Sequence, residues 1–180
     1  MNITVYCGSN VGLDPAYAEA ARELGAWIGE SGHTLVYGAG AKGMMGVLCD
    51  SVLKHNGSVI GIIPDFLATP EQLHPGLTET QVVTTMSERK ARMIALGDAF
   101  LALPGGVGTL EEISEIICRV HLSLTAEPCI LADINGYYQP LYRMMEQMTE
   151  RGFYEPEHLA AIFFAKTVEE IIEILIDANH

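Results

Sequence analysis

Residues 99–121 read Ala99-Phe100-Leu101-Ala102-Leu103-Pro104-Gly105-Gly106-Val107-Gly108-Thr109-Leu110-Glu111-Glu112-Ile113-Ser114-Glu115-Ile116-Ile117-Cys118-Arg119-Val120-His121. Ala99 to Leu103 is an unbroken apolar run, as expected of a strand covered on both faces. Three glycines in four positions make a tight turn, because a residue without Cβ lets backbone or ligand come close. Leu110, Ile113, Ile116, Ile117 and Val120 then recur at helical spacing and predict an amphipathic helix with that face inward. Strand, glycine turn and helix together form half of a parallel βαβ unit.

The same alternation continues on both sides. Upstream, strands are expected at Ile3–Cys7, Thr34–Tyr37, Ser58–Ile63 and Thr80–Thr84. Helices are expected from Asp14-Pro15 to Gly32, from the second glycine turn to about His55, and from Ser87 to Gly97. Residues 64–78, with prolines at 64, 70 and 75, read as a loop. Downstream, Pro128–Ala132 is a sixth strand, and the rest reads as helices from Tyr138, Glu155 and Thr167. Continuous Val/Ile/Leu strands alternating with helices predict a doubly wound, Rossmann-like parallel α/β sheet with helices on both faces. With no repeat, linker or low-complexity tract, residues 1–180 are expected to form a single domain.

Composition narrows the function classes. Ten Lys and Arg against 23 Asp and Glu leave a net charge of −13, which opposes binding to nucleic-acid backbones. No apolar run is long enough for a membrane span, and the N-terminus reads as a strand instead of a signal peptide. Cys7, Cys49, Cys118 and Cys129 form no CxxC pair and are expected as reduced core thiols of a cytoplasmic protein. The six histidines are scattered along the chain, so neither a metal nor a cofactor is expected.

Doubly wound sheets bind ligands beyond the carboxyl ends of their strands. Three turns there are rich in small residues: Gly8-Ser9-Asn10, Gly38 to Gly46, and Gly105 to Thr109. Free amides and the positive end of the following helix make the third an anion site, with the Thr109 hydroxyl as a further donor. Thr109-x-x-Glu112 equally fits a capping box, in which Glu112 only ties down a backbone N–H. Ser87 to Met93 holds Arg89, Lys90 and Arg92, three of ten cationic side chains within four positions. The cluster suits phosphate recognition, or else a solvated face with Glu88 pairing Arg92. Gly38-Ala39-Gly40-Ala41-Lys42-Gly43 fits G-x-G-x-x-G and keeps open an NAD-dependent oxidoreductase. A non-catalytic nucleotide-binding or carrier protein also fits these turns.

Pro104 to Glu112 and Arg89-Lys90 together resemble the Lonely Guy family of cytokinin riboside 5′-monophosphate phosphoribohydrolases, which carries PGGxGTxxE after an arginine–lysine pair. The resemblance extends to Tyr6-Cys7-Gly8-Ser9, Val36-Tyr37-Gly38, Gly43 to Gly46, Val59-Ile60-Gly61 and Asn135-Gly136-Tyr137-Tyr138. It implies a Rossmann-like homodimer with composite active sites. It also implies hydrolysis of the N-glycosidic bond of an N6-modified adenosine 5′-monophosphate, giving free base and ribose 5-phosphate. Arg89 and Glu112 are then the catalytic residues. Ser9, Gly40, Lys90, Gly105, Gly106, Val107, Gly108, Thr109, Leu110 and Glu111 bind the nucleotide. Two departures stand out: the family often reads three glycines where this chain has Gly38-Ala39-Gly40, and Cys118 replaces a common threonine. Many relatives carry a lysine-decarboxylase label, yet Lys42, Lys54, Lys90 and Lys166 lack a recognisable cofactor-linking context.

Overall fold

In the computed structural model, which describes residues 1–178, all six strands expected from the sequence form, and every pairing is parallel. The elements run β1 (Asn2–Tyr6), α1 (Pro15–Glu30), β2 (Thr34–Tyr37), α2 (Gly43–Lys54), β3 (Ser58–Pro64), β4 (Glu79–Val83), α3 (Met86–Leu96) and β5 (Ala99–Ala102). They continue through α4 (Val107–His121), β6 (Cys129–Ala132), α5 (Gln139–Glu150), α6 (Pro156–Ala160), β7 (Ile162–Ala165) and α7 (Val168–Ala178). The sheet order is β4-β3-β2-β1-β5-β6-β7.

Local chemistry starts α1 where the sequence predicts, whereas α3 begins at Met86, ahead of the expected Ser87. Asp14 caps α1 by accepting from the Ala16 amide at 2.9 Å, and Pro15 fills the first helical position. Gly32 takes φ +71° just beyond the helix. Thr85 caps α3 by accepting from the Glu88 amide at 3.1 Å, and Glu88 reaches back to the Thr84 amide at 2.9 Å. Glu88 therefore closes the helix end instead of pairing with Arg92 along the helix face.

Two apolar layers sandwich the sheet. On one face Leu24 and Ile28 of α1, Leu48 and Val52 of α2, and Ile171 and Leu175 of α7 cover Ile3, Leu35 and Leu101. On the other, Met93 of α3, Ile113 and Ile116 of α4 and Met145 of α5 cover Val36, Phe100 and Leu131. The doubly wound expectation is met.

Three sequence expectations need correction. β7 falls where the sequence pattern predicts a helical tail. It is an edge strand only four residues long, with buried ends and a more exposed middle, so it lacks the unbroken buried pattern of the central strands. Leu110 is 42% exposed, because the inward face of α4 turns on Thr109, Glu112, Ile113 and Ile116. Cys118 is exposed, unlike the buried thiols of Cys7, Cys49 and Cys129. Among the described residues no helix is long and apolar enough to cross a membrane.

Candidate active site at the sheet's switch point

From β1 the chain winds outward through β2, β3 and β4, then returns to lay β5 on the other side of β1. The turns after β1 and β5 therefore part company, and such a switch point opens a crevice at the carboxyl edge. A cleft of ≈ 280 Å³ occupies it, with Ser9, Gly38, Arg89, Gly106, Thr109 and Glu112 among its walls.

The turn after β5 is held from below. The Gly8 amide donates to the Pro104 carbonyl at 3.2 Å and the Leu103 amide to the Tyr6 carbonyl at 2.9 Å. The Tyr138 hydroxyl donates to the Leu103 carbonyl at 2.9 Å, and the Tyr137 hydroxyl donates to the Gly105 carbonyl. A Cβ on Gly105 would collide with the Thr109 side chain, whereas a Cβ on Gly106 or Gly108 would meet nothing within 4 Å. The first glycine is thus required by the fold, and the other two leave open space above the backbone. Gly106 occupies the cap position of α4 and has no side chain to satisfy the first-turn amides. Uncapped first-turn amides and the positive end of a helix dipole are chemistry able to hold an anion, and Gly106 to Thr109 line the cleft.

This boundary removes the capping-box reading. Thr109 is the third helical residue, not the cap, and the Glu112 carboxylate lies 3.4 Å from the Arg89 guanidinium. Glu112 is only 8% exposed. Burial holds its carboxyl above the ordinary carboxylate range, while the Arg89 charge opposes that rise. Arg89 comes from the first turn of α3, and its Nε donates to the Ile62 carbonyl at 3.1 Å. A Cβ on Gly38 would collide with the same guanidinium. One arginine is thereby seated by β3, by the turn after β2 and by α4.

The other expected site residues divide. Ser9, Gly106, Val107, Gly108 and Thr109 join Arg89 and Glu112 at the cleft, and Gly105 lies just beneath. Lys90, on α3, lies outside the cleft, its mostly covered side chain bound to Glu111 and, at 3.0 Å, to Glu115. Leu110 and Glu111 sit on the exposed side of α4. Gly40 lies behind the cleft, where a Cβ would press on Met45. Sequence reading missed Tyr6, Cys7, Met45 and Met93 as cleft residues, because each also looks like ordinary core. The placement of Tyr137 and Tyr138 beside Gly136 was legible; their support of the turn was not.

The G-x-G-x-x-G segment is already engaged. Gly40 bridges to Leu73, the Ala41 amide donates to the Gln72 carbonyl at 2.8 Å, and the His74 amide donates to the Ala39 carbonyl at 2.9 Å. A dinucleotide turn needs free backbone at that place, so the oxidoreductase reading loses its basis.

These features define a Rossmann-like α/β protein with an uncapped, glycine-rich helix mouth and an arginine–glutamate pair at its switch point. A family model described as possible lysine decarboxylase matches residues 45–175. The chain is 43% identical over 172 residues to the cytokinin riboside 5′-monophosphate phosphoribohydrolase of Rhodococcoides fascians, covering 95% of this chain and 87% of that one. It is 38% identical over 175 residues to the phosphoribohydrolase LOG1 of Arabidopsis thaliana, covering 97% and 82%. Among solved structures, the molybdenum cofactor carrier protein of Chlamydomonas reinhardtii superposes with a TM-score of 0.76 at 17% identity, over 99% of this chain and 97% of that one, a likeness of fold alone. The chain belongs to the family of cytokinin riboside 5′-monophosphate phosphoribohydrolases. No lysine lines the cleft among the described residues, and Lys90, the one nearest in sequence to Arg89, is held by two carboxylates.

Proposed function

We propose that this chain hydrolyses the N-glycosidic bond of an N6-modified adenosine 5′-monophosphate to a free cytokinin base and ribose 5-phosphate. The supporting observation is the Arg89–Glu112 pair, 3.4 Å apart at the rim of a bare helix mouth. The 5′-phosphate docks on the amides of Gly106 to Thr109. Glu112 follows Thr109 by three residues, about one helical turn, so the ribose lies beside its carboxylate. Breaking the C1′–N9 bond builds positive charge on the ribose ring, and an ionised Glu112 stabilises it or takes a proton from the attacking water. The water oxygen bonds to C1′, the bond electrons leave with the base, and the proton balance is completed on that base. Arg89 keeps Glu112 ionised despite burial and contacts the phosphate or the departing base.

A base-release assay comparing AMP with isopentenyl-AMP tests this reading. Preference for the modified nucleotide supports the cytokinin assignment, and equal rates make the chain a general purine monophosphate nucleosidase. Binding of both without release makes it a carrier. Glu112→Gln should retain nucleotide binding and lose roughly 10²–10⁴-fold in turnover. Full activity in that variant would remove Glu112 from the chemistry.

The family reading also supplies a homodimer with composite active sites. Supporting it, Val107, Leu110, Cys118 and Leu122 form an exposed stripe down α4 beside the cleft. Composition and cysteine usage support a cytoplasmic setting: the buried thiols of Cys7, Cys49 and Cys129 are free and fit a reducing compartment.

A further inference from the structure

At the opposite end of α4 from Glu112, three side chains converge that nothing above employs. His121 closes α4, Glu155 immediately precedes α6, and His158 lies within α6. His121 Nδ1 is 3.0 Å from His158 Nδ1, though the two residues are 37 positions apart in the chain. Glu155 Oε2 lies 3.2 Å from His158 Nδ1 and 3.5 Å from His121 Nδ1.

Protons alone serve this arrangement poorly. A single Nδ1 proton on His158 has to be shared between His121 Nδ1 and Glu155 Oε2. With both rings charged, two N–H groups face each other at the 3.0 Å separation of their nitrogens. One cation at the centre satisfies all three atoms together. The size also fits: tetrahedral zinc with bonds of about 2.0–2.1 Å has ligand-to-ligand edges of roughly 3.4 Å. The three measured edges, 3.0, 3.2 and 3.5 Å, lie close to that value. Two imidazoles and a carboxylate form a donor set that borderline divalent metals favour. Tyr154 packs against both rings, with centroids 5.4 Å from His121 and 6.0 Å from His158, and limits their rotation.

We propose that His121, Glu155 and His158 form a site for a zinc-class divalent cation, with a fourth position open to water. Side-chain exposures of 37% for His121, 31% for His158 and 61% for Glu155 leave it within reach of solvent. Glu112 and His121 are nine residues apart on one helix, about 13.5 Å, so the cation stands clear of the hydrolytic cleft. Its bonds fasten the C-terminus of α4 to the start of α6. The sequence hid the site because its ligands come from two elements that only packing brings together.

Titrating the chelator-treated full chain with Zn²⁺ at pH 7.5 by calorimetry tests the site. The expected result is one equivalent per chain, with Tm rising roughly 5–10 °C at a hundredfold excess over Kd. His121→Gln, His158→Gln and Glu155→Gln should each weaken or abolish that equivalent. Cys118→Ser, exposed one turn earlier on α4, should retain it. Co²⁺ substitution should give the visible bands of a tetrahedral nitrogen–oxygen centre. Undiminished binding in both histidine variants, or loss in Cys118→Ser alone, overturns the proposal. So does a wild-type chain that ignores Zn²⁺ but whose Tm depends on these histidines only through acidification, the mark of a proton latch.

Discussion

Glu112 and Gly38 are the residues on which the cleft turns. Gly38 does not adopt a left-handed backbone angle, and its missing side chain is the seat of the Arg89 guanidinium. Gly38→Ala should displace that guanidinium and reduce base release by about 100-fold, as misplacement by an ångström does. Tm should stay within a few degrees of wild type, because the change adds one methyl beside a movable side chain; unchanged kinetics would show that Arg89 needs no such seat. Glu112 gives a test with a defined sign. Its folded pKa is raised above the unfolded value by burial, so the native state binds more protons there. Stability contributed by this group is therefore greatest below the ordinary carboxylate pKa and declines as pH rises through the raised one. Glu112→Gln should accordingly raise Tm relative to wild type at pH 7 and not at pH 4. Melting curves at the two values check it, and an equal shift at both would argue against burial as the cause.

At the scale of elements, the turn after β5 depends on a distant support. Residues 134–138 follow β6, yet Tyr138 reaches beneath the turn to the Leu103 carbonyl. Tyr138→Phe removes one buried hydrogen bond and should cost about 1 kcal/mol, a fall in Tm of roughly 2–4 °C. A thermal scan reads this, and the variant should also bind nucleotide more weakly if the turn loosens. Some features at this scale were plain in the sequence. Asp14-Pro15 and Gly32 bounded α1, since caps act through neighbouring residues. The start of α4 was not, because Thr109 satisfied a capping pattern that the true cap, Gly106, leaves empty. β7 escaped for a related reason: a short strand at the sheet edge carries little of the burial that makes a strand legible.

For the whole molecule, the parallel sheet sets where the cleft opens, and the exposed stripe of α4 lies beside it. Leu110→Lys places a charge in that stripe without touching the core. If the stripe joins two chains, sedimentation should show a shift from dimer to monomer, with base release falling as composite sites separate. An unchanged sedimentation profile would place any dimer contact elsewhere.

The sequence by itself determined the parallel α/β architecture and the glycine turn after β5, and it singled out Arg89 and Glu112 as candidates, because burial periodicity and residue spacing are written in neighbouring residues. Only the tertiary structure decided that Arg89 meets Glu112, that Lys90 turns away to Glu111 and Glu115, that Gly38 to Gly43 is closed by residues 72–74, and that His121 finds His158. Each of these is a contact between elements far apart in the chain. Local residue patterns carry no record of such distances until the helices and strands pack.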